Sequence, residues 1–397
     1  MKLKDIFEKP ISGEWGKEVG EGEKGSKVIR TTNFTNIGRL DLSSIVERDI
    51  DSIKHENKKL KFGDIIIEKS GGSPTQPVGR VVIFEETNED VYFCNNFTSI
   101  LRPNKNIVPK FGLYLLKNLY NKKKVLKFQN KTTGIINIKL NDYLNNTEIT
   151  IPNLEVQNRI AEVLNKTQEL IDKRKEQIES LDELVKSKFI EMFGELKTNK
   201  NKFRIVELES LTTKITDGVH SKPEYMPEGV EFISVKDINK GNLDFSECKY
   251  ISREAHESYI KRCKPEKGDI LYTKVGATYG IPAIVDTDKE FSLYVSVALI
   301  KLKKGIVNPI YIKEALRSVD VKRQADRQVK GIGVPDLHLV EIKKFNIFNP
   351  PIELQNQFAD FVKQVDKLKF EMEKSLKELE DNFNSLMQKA FRGELFK

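Results

Sequence analysis

Stepping alternately by four and three residues from Ile160, the chain meets Ile160, Leu164, Thr167, Ile171, Arg174, Ile178, Leu181, Val185, Lys188 and Met192, and most of these are apolar. The same steps, 198 residues on, give Phe358, Val362, Val365, Lys369, Met372, Leu376, Leu379, Phe383, Leu386 and Ala390. This spacing keeps one apolar stripe facing a partner as two helices wind together, which predicts a coiled-coil seam. No Pro or Gly interrupts the chain between Gln157 and Phe193 or between Gln355 and Phe391. Pro152 and Pro351 stand just ahead of each stretch, where a missing N–H does no harm. Two helices of about 60 Å each follow from a rise of about 1.5 Å per residue. A lone helix would leave such a stripe in water, so each needs a partner. The other copy in the same chain is the economical one, and it is favoured over pairing with a second chain.

The remaining sequence is patterned differently. Short β-rich runs (Asp64–Glu68, Arg80–Phe84, Asp269–Thr273, Val295–Leu302) alternate with Gly, Pro, Asn and Ser clusters. Short helices are predicted over Phe111–Tyr120 and Pro309–Ser318, and Ser70-Gly71-Gly72-Ser73-Pro74 is expected to be a loop. Landmarks recur in one order: Gly63-Asp64-Ile65 as Gly268-Asp269-Ile270, Gly134 as Gly331, Glu155-Val156-Gln157-Asn158 as Glu353-Leu354-Gln355-Asn356, and Phe193 as Phe391. The chain is thus an internal duplication. Its expected plan is a first module over 1–150, a long helix over 151–196, a polar flexible linker over 197–202, a second module over 203–349 and a second long helix over 350–397. The fold class is α+β: two similar α/β modules separated by an antiparallel pair of long helices, with pseudo-two-fold symmetry.

Composition adds limits. With 38% hydrophobic and 32% charged residues among 397, the chain is globular rather than disordered. Its net charge of +8 raises the case for a nucleic-acid partner only slightly, since mild basicity also serves solubility. Cys94, Cys248 and Cys263 are scattered, which suggests free thiols in a reducing cytoplasm. The start lacks a secretion signal, and no apolar run approaches the ~18 residues of a membrane span, so a cytoplasmic protein without a membrane partner is expected.

Two modules held by a stiff helical pair suit duplex DNA, whose faces recur roughly every 34–36 Å. Unlike modules would read unlike half-sites, giving an asymmetric bipartite site. The order of module, helix, module, helix resembles the specificity subunits of type I restriction–modification systems. The resemblance rests on Ile151-Pro152-Asn153-Leu154-Glu155-Val156-Gln157 and Pro350-Pro351-Ile352-Glu353-Leu354-Gln355, on both Gly-Asp-Ile elements, and on Ile11-Ser12-Gly13-Glu14-Trp15-Gly16 with Arg30-Thr31-Thr32-Asn33-Phe34. Asn158 and Asn356 depart from the Arg or Lys frequent in that family. The resemblance implies a non-catalytic DNA reader and scaffold for two methyltransferase subunits and restriction–translocase subunits. It implies no cofactor of its own: methyl donor, ATP and Mg would bind those partners. A stand-alone homodimeric DNA-binding or coiled-coil regulator is the alternative.

Phosphate contacts call for Lys, Arg, hydroxyls and free N–H groups, and base contacts for forked or amide side chains. One candidate stretch runs through Lys117, Lys122, Lys123, Lys124, Lys127, Lys131, Thr132 and Thr133, and recurs as Lys313, Arg317, Lys322, Arg323, Arg327 and Lys330. A solvated helix face would show the same charges. A second follows each Gly-Asp-Ile strand: Lys69, Ser70, Gly71, Gly72, Ser73 and Arg80, then Lys274, Gly276, Thr278 and Tyr279. An ordinary tight turn is the competing explanation there. Arg30, Thr31, Thr32 and Asn33 form a third group, with Lys236 and Asp237 in the matching place, and His220 is a weaker candidate.

Other motifs carry little. Asn349-Pro350-Pro351-Ile352 lacks the aromatic ring that adenine methyltransferases stack on a flipped base. Gly20-Glu21-Gly22-Glu23-Lys24-Gly25 matches a dinucleotide-loop spacing but sits in a polar loop rather than between strand and helix. Asp336 and Glu341 are too close in sequence to suggest two converging nuclease strands, and His55, His220, His256 and His338 lack ligand spacing, so no metal is expected.

Overall fold

The computed structural model describes residues 1–396 apart from Pro74, Thr133, Gly134, Lys240 and Ile332, and of Lys131, Thr132 and Asn239 only the backbone. The candidate Thr133 and the side chains of Lys131 and Thr132 therefore lie outside the described residues. The chain forms two compact units, Met1–Arg174 with Ser375–Lys397, and Lys175–Lys374. This division differs from the linear plan, because each unit takes half of both long helices into its core.

In the first unit, strands Ile11–Ser12, Thr98–Leu101, Ile65–Glu68 and Val81–Ile83 form an antiparallel sheet in that order. A second sheet sets Ser26–Ile29 between Val46–Arg48 and Tyr92–Cys94, the latter pair parallel. The second unit repeats both. Thr212–Asp217, Val297–Leu302, Ile270–Thr273 and Pro282–Ile284 form the antiparallel sheet, and Val230–Ile233 lies between Lys249–Ile251 and parallel Phe291–Leu293. The strands after the Gly-Asp pairs, Ile65–Glu68 and Ile270–Thr273, are buried on both faces, which explains their unbroken apolar runs. Same order and same strand senses mean one fold built twice.

Ser70–Gly71, expected to be loop, is instead a short strand paired with Asn137 and Ile136. Gly71, at φ 117°, and Gly72, at φ 61°, supply the backbone freedom that lets this strand turn away beyond the central one. The linker is also more ordered than its composition suggests. Asn201 Nδ2 donates to the Met192 carbonyl at the helix end (3.0 Å), and Asn199 exchanges two hydrogen bonds with the Phe203 backbone.

The long helices run over Leu154–Phe193 and Ile352–Ala390. In the first unit, Ile160, Ala161, Leu164 and Ile171 share a core with Phe383, Met387 and Ala390, with Leu376, Leu379 and Leu386 packed alongside. In the second, Leu181, Val185, Phe189 and Phe193 share a core with Phe358, Val362 and Val365, joined by Met192 and Met372. The start of each helix thus meets the end of the other, and the pair is antiparallel within one chain. Every residue on the predicted seam, Ile178 included, is buried or half-buried. A local departure lies at the end of the first helix. There Phe189 and Phe193 are buried more deeply than the seam residues Lys188 and Met192, because they wedge between Phe358 of the other long helix and Tyr311 of the module's core. Lys369, a polar seam position, donates to Asp182 across the pair at 2.7 and 2.8 Å.

Candidate nucleic-acid interface

The elements that place the candidate residues are fixed by buried contacts equivalent in both units. Gln157, buried, accepts from the Val108 N–H (2.9 Å) and donates to the Asn106 and Pro152 carbonyls. Gln355, also buried, accepts from the Asn308 N–H (2.9 Å) and donates to the Pro350 carbonyl. Val108 and Asn308 are the N-caps of the helices Pro109–Asn121 and Pro309–Arg317, so each repeated Gln anchors a module's helix to a long helix. Phe391 packs on Phe111 of the first of these (5.3 Å between rings), and Phe193 on Tyr311 of the second (4.8 Å). The Asp of each Gly-Asp-Ile element faces inward. Arg102 grips Asp64 with two bonds of 2.8 Å, and Lys301 donates to Asp269 at 2.6 Å. These residues build the modules and are not available to DNA.

On this frame, sequence-distant candidates come together. In the first unit, strands Gln129–Thr132 and Ile135–Ile138 form a hairpin, and Ser70–Gly71 pairs with its second strand. The loop after the Gly-Asp-Ile strand and the end of the basic stretch therefore share one small sheet. Ser70 Oγ donates to Asn137 Oδ1 at 2.6 Å. In the second unit, bridges Val275–Asp336 and Lys330–Asp336 make the same junction, and Gly276 N–H donates to the Pro335 carbonyl. The third group joins at Thr31, whose carbonyl accepts from Arg80 at 3.3 Å.

Individual candidates separate into available and committed ones. Lys122, Lys123 and Lys124 are exposed at the end of the helix Pro109–Asn121, with no ion pair among the described residues. Lys127 is exposed and lies over the Phe128 ring. Arg327 and Lys330 are likewise exposed and without an ion pair among the described residues, and Arg323 reaches Asp320 only at 4.0 Å. Lys236, Thr32 and Thr278 are exposed, and Ser73 is half-buried with its Oγ accepting from the Gln76 N–H. Lys69 is half-buried, and its Nζ donates to Ser12 Oγ at 2.6 Å.

Several expectations are corrected. Asn33 is fully buried, accepts from the Arg30 N–H and donates to the Asp41 carbonyl, so it caps a turn and cannot read a base. Asp237 does the same work in the second unit, accepting from the Ser234 N–H and Oγ. The two turns are equivalent. Arg30 is half-buried and donates to the Ser44 carbonyl. Arg80 is held by both oxygens of buried Glu68 (2.9 and 3.0 Å), and that pairing raises its proton affinity further. Lys274, 5% exposed, faces Asp217 and Asp336 at 3.7 and 3.4 Å. Lys322 is bound by Asp326 (2.7 Å) and lies 3.6 Å over the Tyr279 ring, whose hydroxyl donates to Asp326. His220 touches Asp217 (3.1 Å), which Arg262 also engages. Spacing along the chain shows Asp326 one helical turn from Lys322, but it could not show Asp217 and Asp336 meeting Lys274, which only the fold brings together.

The remaining motifs fall into structural roles. The segment Gly20–Gly25 is a polar turn before the strand Ser26–Ile29. Pro350 precedes the last long helix and accepts from Gln355. Burial pushes the Cys94 thiol up to about 11 and Cys263 to about 12, so these thiols are inert. No helix is long and apolar enough to cross a membrane, and no three metal-ligating side chains cluster among the described residues.

Known proteins match this arrangement. The family model for the type I restriction modification DNA specificity domain matches residues 1–180 and again 200–381. The chain is 25% identical over 393 residues to the type I restriction enzyme EcoKI specificity subunit of Escherichia coli K12, covering 93% of this chain and 82% of that one. Its fold matches a chain from a structure described as the basis of complex assembly and conformational transition of the type I R-M system, with TM-score 0.60 and 16% identity over 100% of this chain and 97% of that one. It also matches the type I restriction–modification S subunit of M. genitalium, with TM-score 0.55 and 17% identity over 98% and 95% of the two chains. The double match to one domain, on a fold built twice with unlike surfaces, places the chain in the type I restriction–modification DNA specificity family, as a specificity subunit of such a system.

Proposed function

We propose that this subunit reads a bipartite, asymmetric DNA site, one half with each module, and catalyses nothing itself. The carrying observation is that the two units share strand order and buried anchors, yet present different charges around the same junction. In this reading two methyltransferase subunits and the restriction–translocase subunits assemble on it in the cytoplasm, and methyl donor, ATP and Mg bind to them. The exposed cations Lys122–Lys124, Arg323, Arg327 and Lys330 supply phosphate contacts, while exposed hydroxyls and amides near the junctions read bases. A homodimeric regulator is less well supported, because the apolar stripes that would join two chains are filled within one.

Methylome sequencing of a host expressing the whole complex tests the proposal. Replacing residues 1–150 with another module should change one half-site and leave the other. Matched heptad insertions in the two long helices, one within Ile160–Met192, should change the gap and not the bases. A contiguous site, or both halves changing together, would remove the division of labour. Co-purification with a methyltransferase separates the scaffold from a regulator.

A further inference from the structure

We propose that Lys69 contacts a DNA backbone phosphate, while its counterpart Lys274 is a structural pin. This rests on the DNA-reading role above and assigns the equivalent lysine of the two modules opposite tasks.

The equivalence is geometric. Each lysine directly follows the central strand, Ile65–Glu68 or Ile270–Thr273. Each donates its N–H to the opposite strand's approach, Lys69 to the Phe97 carbonyl and Lys274 to the Ser296 carbonyl, both at 2.9 Å. Each side chain reaches the residue before a glycine that abuts backbone. Ser12 precedes Gly13, where a Cβ would lie 2.0 Å from the Asn95 carbonyl oxygen, and Asp217 precedes Gly218, where it would lie 2.0 Å from that of Leu293. Asn137 and Asp336 likewise hold matching places, paired with Ser70 and Val275.

What differs is charge. Lys274 has carboxylates at both places, Asp217 and Asp336, and is almost wholly buried between them. Lys69 has a hydroxyl and an amide there, and no ion pair among the described residues. Lys58, the cation nearest in effect, is already bound to Glu14 at 2.6 Å. A half-buried ammonium without an anion is electrostatically costly, and burial lowers its proton affinity. A phosphate arriving at the junction supplies the missing charge. Ser12 holds the ammonium in place, and Gly71 and Gly72 let the backbone come close to a strand of DNA.

The test uses the full chain and a fluorescent random-sequence duplex, with binding followed by anisotropy across a salt series. Lys69→Gln should weaken binding and reduce the slope of log affinity against log salt by about one. Lys274→Gln should leave that slope unchanged and lower the denaturation midpoint. Ser12→Asp installs the second module's carboxylate while keeping the lysine, so it should produce the Lys69→Gln loss by itself. The double variant leaves that carboxylate unpaired beside the phosphate and should bind more weakly than either single variant. An unchanged slope in Lys69→Gln or Ser12→Asp, with wild-type binding intact, overturns the assignment. A wild-type chain with no measurable affinity for duplex at any salt concentration would overturn the DNA-reading role itself.

Discussion

The two units keep the same skeleton and spend their differences on the surface. Both anchor a Pro-led helix with a buried Gln, both seat an aromatic from a long helix against it, and both bury the Asp after the repeated Gly. Around the shared junction, however, the first unit has a hairpin beside free lysines. The second has a helix, Val319–Gln328, whose Lys322 is neutralised by Asp326. Packing contacts survive duplication because each is satisfied on all sides, whereas solvent charges can be exchanged at little cost to the fold.

The skeletons are not equally deep, and the largest effect should come from that difference. Phe193 is fully buried among Phe189, Tyr311 and Phe358, while its counterpart Phe391 is half-buried. Phe193→Ala should cost the second unit about 3–5 kcal/mol, through lost burial and the cavity left behind. Phe391→Ala should cost the first unit less, in proportion to the smaller area removed from water. Chemical denaturation checks this, with fluorescence of the single tryptophan, Trp15, reporting the first unit and far-UV circular dichroism the whole chain. Equal losses would mean that depth of burial does not distinguish the two seats.

A smaller contrast lies in the paired acids. Asp64 is 1% exposed and held in a two-bond clasp by Arg102, whereas burial holds the Asp269 carboxyl above its usual range despite Lys301. Asp64→Asn removes charge-assisted bonds and should destabilise the first unit by about 1.5–3 kcal/mol. Asp269→Asn removes an anion that the second unit already resists, so its midpoint should move less. If Asp269→Asn proved the more damaging, the strength of the two clasps would be ranked wrongly.

How much of this was visible in the sequence depends on what sets each feature. The long helices and their antiparallel pairing were legible because a seam needs only periodicity, and Ile160 to Met192 and Phe358 to Ala390 display it for many turns. The duplication was legible because buried anchors such as Gln157 and Gln355 tolerate few replacements. Individual contacts were harder. Asn33, Arg80, Lys274 and Lys322 have the right chemistry for DNA, but their partners Asp41, Glu68, Asp217 and Asp326 are brought to them by turns, strand pairing and helix geometry. Charge in a sequence says what a side chain could bind; only the fold says whether an anion already occupies it.

Lys117 shows that point as a pH effect. Its counterpart Arg317 pairs with Glu314, but Lys117 points inward and donates to the Ile37 carbonyl at 2.5 Å. Burial, helped by the Arg39 charge, pushes the Lys117 ammonium down to about 8 from 10.5. Between those values the unfolded chain holds the proton and the folded chain does not, so the stability of the first unit should rise as pH climbs through that window. Below about pH 8 both states are protonated, and the cost of the buried charge is felt in full. Lys117→Met should flatten the rise and raise stability at neutral pH, because the aliphatic stem keeps its packing while the charge is gone. The measurement is the Trp15 unfolding midpoint of both proteins across the alkaline range. Parallel curves for wild type and variant would show that Lys117 stays charged in the folded unit, and that the first unit, like the second, supplies it with an anion.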